Sequence, residues 1–356
     1  MPSTRLYQLV AVALPLASTG CVLHVHRDLD PPPGFTYTPT QGDPAFADDS
    51  APGDPPSIRF SERMDSTRTH EIMRFEYESS GRNGHPQNIV EGLYMRGRAP
   101  GPKKLVVVMP IWGTSTYPPD KISHGYARHA GKDTDVIWVY GSAPLFPWVE
   151  LRTTRTEAEF RAMATDSAEA YRATVVDMRR LIDWADTRPE IDPSRIAFVG
   201  FSMSALVTAT LLGNDSRVHA AVLMMGAANF ADVFATCGDK TAAVREHVLR
   251  EYGWTLDQYR DFFHGLFDRA DPTRYAGHYD PEKILFIDAM YDDCMPESAR
   301  ATLWEVTGRP ERITLLYQHR HAFYTITPLG LNFMRRKIYH FLDDKLEADT
   351  KARTPR

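Results

Sequence analysis

The sequence predicts an α/β protein built on a doubly wound, mostly parallel sheet with a small helical insertion. Short runs of apolar, β-branched residues, such as 104–109 and 196–199, have the composition of strands buried on both faces. Longer amphipathic stretches alternate with them, as expected when helices cross over between parallel strands. The third observation is local. Residues 196–199 pass directly into Gly200-Phe201-Ser202-Met203-Ser204 and then into small and apolar residues of helical character.

Taken in order, residues 73–78 alternate in polarity and read as a strand. A turn at 80–84 leads to a second strand at 89–96, an antiparallel pair at the front of the sheet. The first fully buried strand is 104–109. Helix 121–129, strand 136–140, a long helix at 164–186, strand 196–199, helix 203–212 and strand 218–225 follow. From about 230 to 279 the rhythm changes to two amphipathic helices rich in aromatics, 241–252 and 256–267. An insertion at that point reads as a cap over the carboxyl edge of the sheet. The sheet resumes at 284–289, followed by helix 296–307, strand 313–317 and a last helix at 329–345. No internal repeat is present.

A hydrophobic content of 43% and a charged content of 24% are those of a soluble globular protein. The net charge of −5, without a Lys/Arg run, gives no support for a nucleic-acid partner. At the N-terminus, Arg5 precedes an apolar run at 6–16 and the small residues Ala17-Ser-Thr-Gly-Cys21, a pattern that reads as a secretory signal. Its end resembles a bacterial lipobox. The resemblance implies lipidation of Cys21 and export to the cell envelope, and Val22 implies the outer membrane or periplasm. Residues 22–57 are Pro-rich and aperiodic and read as a disordered tether. The folded domain then spans 58–346, with a disordered tail at 347–356. The membrane is expected as a partner through the lipid anchor only. Cys237 and Cys294 remain as an even pair in an oxidising compartment, bridged or as two buried thiols.

Ser202 stands on a strand-to-helix turn between small residues at positions 200 and 204, the arrangement of a nucleophile elbow. The alternative is a serine that only caps the helix. A nucleophilic serine needs a base and a group to orient that base, and the chain offers Ser, Asp and His in that order. Asp292 follows strand 284–289 and lies four residues before Pro296. His319 and His321 follow strand 313–317.

These motifs, with Asp192-Pro-Ser-Arg-Ile-Ala-Phe-Val-Gly-Phe-Ser-Met-Ser204, resemble the α/β-hydrolase superfamily over residues 70–346. The likeness is narrowest to its dienelactone-hydrolase and prolyl-oligopeptidase-like esterase branch. The resemblance implies Ser202 as nucleophile, Asp292 as acid with Asp293 as the alternative, and His321 as base with His319 as the alternative. It places the oxyanion donors at the N–H groups of Met203 and Trp112. Trp148, Phe230 and Tyr291 suggest an aromatic substrate pocket. The pair His319 and His321 lacks further ligands at metal spacing, so neither metal nor cofactor is expected. The expected activity is hydrolysis of a small-molecule carboxylic ester through an acyl-enzyme. A peptidase or amidase of the same fold and an inactive binding lipoprotein are the alternatives.

Overall fold

Six parallel strands form the centre of the sheet. A computed structural model describes residues 24–40, 42–47, 55–80, 89–112, 117–141, 144–316 and 328–352. Its strands in chain order begin with β1 (His24–Arg27), the short β2 (Arg59–Phe60) and β3 (Asp65–Ser66), β4 (His70–Glu78) and β5 (Ile89–Gly97). The parallel set is β6 (Lys103–Val108), β7 (Thr134–Val139), β8 (Ile191–Phe201), β9 (Ala220–Met224), β10 (Ile284–Ala289) and β11 (Glu311–Leu315). They lie in the order β1-β11-β10-β9-β8-β6-β7-β5-β4-β2, with β3 against β4. β4 and β5 form the expected antiparallel pair, and β5 joins the sheet antiparallel to β7.

The helices are α1 (Pro119–Ala130), α2 (Trp148–Leu151), α3 (Glu157–Asp186), α4 (Met203–Asn214), α5 (Phe230–Thr236), α6 (Asp239–Glu251), α7 (Leu256–Phe267), α8 (Glu297–Val306) and α9 (Pro328–Ala352). β8 shows why both faces of the sheet need cover. Phe198 enters the core beneath α3 and α4, whereas Ala197 and Val199 enter the core beneath α1 and α9. α5, α6 and α7 intervene between β9 and β10 in the chain. Phe234 stacks on Phe263 at 4.3 Å and joins α5 to α7, and α7 opens with a capping box from Thr255 and Gln258.

Several boundaries differ from the sequence reading. α3 starts at Glu157 rather than 164, because the Thr156 hydroxyl accepts the Glu159 N–H and caps the helix there. α9 continues to Ala352, so part of the expected tail is helical.

The larger correction concerns residues 24–40 and 42–47, within the stretch 22–57 read as a disordered tether. β1 pairs antiparallel with β11, His24 opposite Leu315 and Arg27 opposite Arg312. Phe35 lies against Gly308, and the Thr38 N–H donates to the Gly277 carbonyl at 2.8 Å. The Asp43 N–H donates to Asn214 Oδ1 at 2.8 Å, and Arg179 donates to the Phe46 carbonyl. Phe46 itself is buried in the core that contains α3 and α4. The segment is a strap held by isolated backbone bonds and two aromatic anchors, which leave no periodic trace. Phe46→Ala is therefore expected to lower the unfolding free energy by about 3–5 kcal/mol. Chemical denaturation measures this, and an unattached tether would give no change.

Candidate active site

β8 ends at Phe201 and α4 begins at Met203, which leaves one residue for the turn. That residue, Ser202, has φ 52° and ψ −119°, a backbone conformation that non-glycine residues seldom adopt. Its N–H donates to the Met224 carbonyl of β9 at 2.8 Å, and its carbonyl accepts from Ala205 N at 2.9 Å. The side chain makes no capping hydrogen bond, which separates it from an ordinary N-cap serine.

Ser204 explains why a serine serves where glycine is usual. Its hydroxyl accepts from Phe201 N at 2.7 Å and donates to the Phe201 carbonyl at 3.0 Å, closing the turn from inside. Gly200 has no such latitude. A Cβ there would lie 2.4 Å from the Ser204 carbonyl oxygen and 2.6 Å from Thr208 Oγ1. Met203 opens α4, and the first N–H groups of a helix have no partner within it.

All six central strands are parallel, so their carboxyl ends share one edge. β6 lies beside β8, and the loop after β6 brings Trp112 to that edge, half-buried against the core. The close fit depends on Gly141, just past β7. A Cβ on Gly141 would meet Pro110 Cβ at 2.9 Å, Trp112 Cδ1 at 3.1 Å and Trp112 Cα at 3.2 Å.

β10 lies one strand beyond β9, and its carboxyl end carries Asp292. Asp292 Oδ1 accepts the N–H groups of Cys294 and Met295, both at 2.9 Å. The loop is held from several sides. Arg300, buried on α8, donates to the Met290 carbonyl at 3.1 Å and the Met295 carbonyl at 2.9 Å, the two ends of the loop. It also donates to buried Asp288 at 2.9 Å, which accepts in addition from Arg312 at 2.6 Å. Cys237 Sγ and Cys294 Sγ lie at bonding distance, 2.02 Å, which ties the end of α5 to the loop. The Gly238 N–H donates to the Asp293 carbonyl at 3.3 Å. Sequence reasoning missed Arg300, since an arginine in a helix reads as a solvated charge.

The structure thus brings Ser202, Met203, Trp112 and Asp292 to one edge. His319, His321 and Cys21 lie outside the described residues. The three aromatics expected in a substrate pocket have different environments. Trp148 is half-buried and stacks on Phe146 at 4.9 Å, and Tyr291 is exposed in the acid loop. Phe230 is buried edge-on between Tyr171 and Phe267, so it serves the core rather than a pocket wall. The Asp271 carboxylate holds it there by accepting the Asn229 and Phe230 N–H groups at 3.1 and 2.7 Å. Among the described residues, no group of three or more His, Cys, Asp or Glu side chains is placed to hold a metal ion.

Arg300→Lys keeps a charge near Asp288 but cannot reach both loop carbonyls. It is expected to cost about 1–3 kcal/mol of stability through the acceptor it strands. Faster amide exchange at Cys294 and Met295, measured alongside denaturation, would locate the loss in the loop.

The sequence matches no family model and no curated protein sequence. Among solved structures, an acetyl xylan esterase from a Paenibacillus species is similar with a TM-score of 0.60 at 16% identity. That match covers 82% of this chain and 90% of the other. Acetyl xylan esterase 1 from a Thermoanaerobacterium species also gives 0.60, at 12% identity over 86% of this chain and 95% of its own. The acylaminoacyl peptidase of Pyrococcus horikoshii gives 0.50 at 12% identity, over 79% of this chain and 50% of the other. At such identities the likeness is one of architecture, and the chain has the α/β-hydrolase fold.

Proposed function

We propose that the chain is a serine hydrolase that cleaves carboxylic esters. The observation that carries the reading is the backbone of Ser202, held at positive φ on the strand-to-helix turn with its side chain uncommitted to capping. Strain of this kind clusters at functional sites, and here it coincides with a nucleophile type, a helix N-terminus and a fixed carboxylate on the same edge. Two of the structures that share the fold are acetyl xylan esterases, which supports an ester as substrate.

In this reading the Ser202 hydroxyl oxygen attacks the acyl carbon while His321 takes its proton. His319 is the alternative base. Asp292 orients the histidine and stabilises its charged form. The N–H groups of Met203 and Trp112 hold the oxyanion. The proton then passes to the departing alcohol, and water attacks the acyl-enzyme to release the acid and restore Ser202. A peptide bond is the second reading, supported by the fold shared with an acylaminoacyl peptidase. The export signal and acylation at Cys21 belong to the same proposal, as does a location in the bacterial envelope.

A fluorophosphonate probe followed by mass spectrometry tests the nucleophile. Labelling is expected at Ser202 and is expected to vanish in Ser202→Ala. Folded, unlabelled wild-type protein would favour a hydrolase scaffold kept for binding. Parallel rates on p-nitrophenyl acetate and an aminoacyl p-nitroanilide separate ester from amide cleavage. Gly141→Ala displaces Pro110 and Trp112 without touching Ser202, so kcat is expected to fall about tenfold or more with a smaller change in KM. An unchanged kcat would remove Trp112 from the oxyanion site.

A further inference from the structure

The register of β1 has a consequence for where this edge faces. β1 is antiparallel to β11, so its first residue, His24, lies opposite Leu315 at the carboxyl end of β11. That is the same edge of the sheet that carries Ser202 and Asp292. Cys21 precedes His24 by three residues, a span of at most about 11 Å. A lipid on Cys21 would therefore enter the bilayer beside this edge, not at the end of a long tether.

Three apolar residues near that point are exposed. Met290 is 39% exposed, Tyr291 52% and Leu329, in the first turn of α9, 65%. Two chains of contacts link this group to His24. The Met290 N–H donates to the Leu315 carbonyl at 2.9 Å, which places Met290 beside the residue that His24 faces. The His24 ring packs on Phe333 at 4.7 Å, and Phe333 lies one helical turn from Leu329. Lys337 Nζ stands 5.9 Å from the Phe333 ring, a cation bordering the apolar group. Exposed Met290, Tyr291 and Leu329 around the half-buried Phe333, bordered by Lys337 and by the exposed Asp293, make an amphipathic surface of the kind that rests in a lipid interface. Among the described residues no helix is long and apolar enough to cross a membrane, so contact through this face would be interfacial.

We propose that the face formed by Met290, Tyr291, Leu329 and Phe333 docks on the bilayer that anchors Cys21, so that the acid-loop side of the site opens at the lipid surface. The proposal rests on the acylation of Cys21. It adds a second membrane contact to the anchor.

The full chain on vesicles of phosphatidylethanolamine and phosphatidylglycerol provides the test, after mass spectrometry of Cys21. The chain has three cysteines. With Cys21 acylated and the other two bridged, a thiol introduced by Leu329→Cys is the only one open to a solvent-sensitive fluorophore. Met64→Cys, 59% exposed between β2 and β3 at the opposite end of the strand order, is the control. Emission from position 329 is expected to shift to the blue and to be quenched by spin-labelled lipid, with neither effect at position 64. Equal behaviour at the two positions would overturn the proposal, as would an unacylated Cys21. A blue shift that appears without vesicles and grows with protein concentration would assign the face to a second copy and overturn it as well. None of these signals depends on turnover, so loss of the hydrolase reading would register separately in the fluorophosphonate experiment.

Discussion

The hydrogen bond from Ser202 N–H to the Met224 carbonyl holds the turn on which the site is built. A non-glycine residue at φ 52° costs on the order of 1–3 kcal/mol, which the surrounding hydrogen bonds must offset. β9 fixes the serine amide, the Ser204 hydroxyl bridges both polar groups of Phe201, and Thr208 caps the Ser204 carbonyl. Each bond contributes roughly 0.5–1.5 kcal/mol, so two or three are enough to hold the strained residue. Because β9 and α4 are themselves packed on both sides, the turn is as rigid as the core.

The loop after β10 is built on a different principle. Its centre is a buried carboxylate, Asp288, enclosed by two arginines, and such a cluster costs desolvation that its mutual attraction only partly returns. What the arrangement supplies is shape. The planar guanidinium of Arg300 has enough donors to satisfy Asp288 and both ends of the loop at once, which lysine cannot do. An apolar residue of similar volume would fill the space and leave the Met290 and Met295 carbonyls without partners.

How much of this was legible in the sequence follows from which interactions are local. The buried strands, the turn at 200–204 and the aspartate after β10 are contiguous patterns, which a sequence displays directly. The start of α3 is written locally, in Thr156 and Glu159, ahead of the apolar periodicity that begins further along the helix. Arg300 and Gly141 were not legible. Their roles consist of contacts with residues remote in sequence or on another loop, and neither residue type announces such a contact. Phe230 reads equally well as pocket or core, and only the fold of Asn229 onto Asp271 decides between them. Residues 24–47 failed for the same reason, since a strap has no periodicity of its own.

The pairing of β1 with β11 also bears on the order in which the chain folds. His24 and Leu315 are about 290 residues apart, nearly the full span of the domain. Contacts of such separation form only after most of the intervening chain is in place, because closing so long a loop earlier has no enthalpic return. β1 is thus expected to dock late, after β11 has joined the sheet. Until it does, the outer edge of β11 presents unpaired peptide groups, the kind of edge that recruits strands from other chains. Docking of β1 covers that edge of β11 and leaves a strand of only four residues as the outer one, which limits the template it offers to other chains.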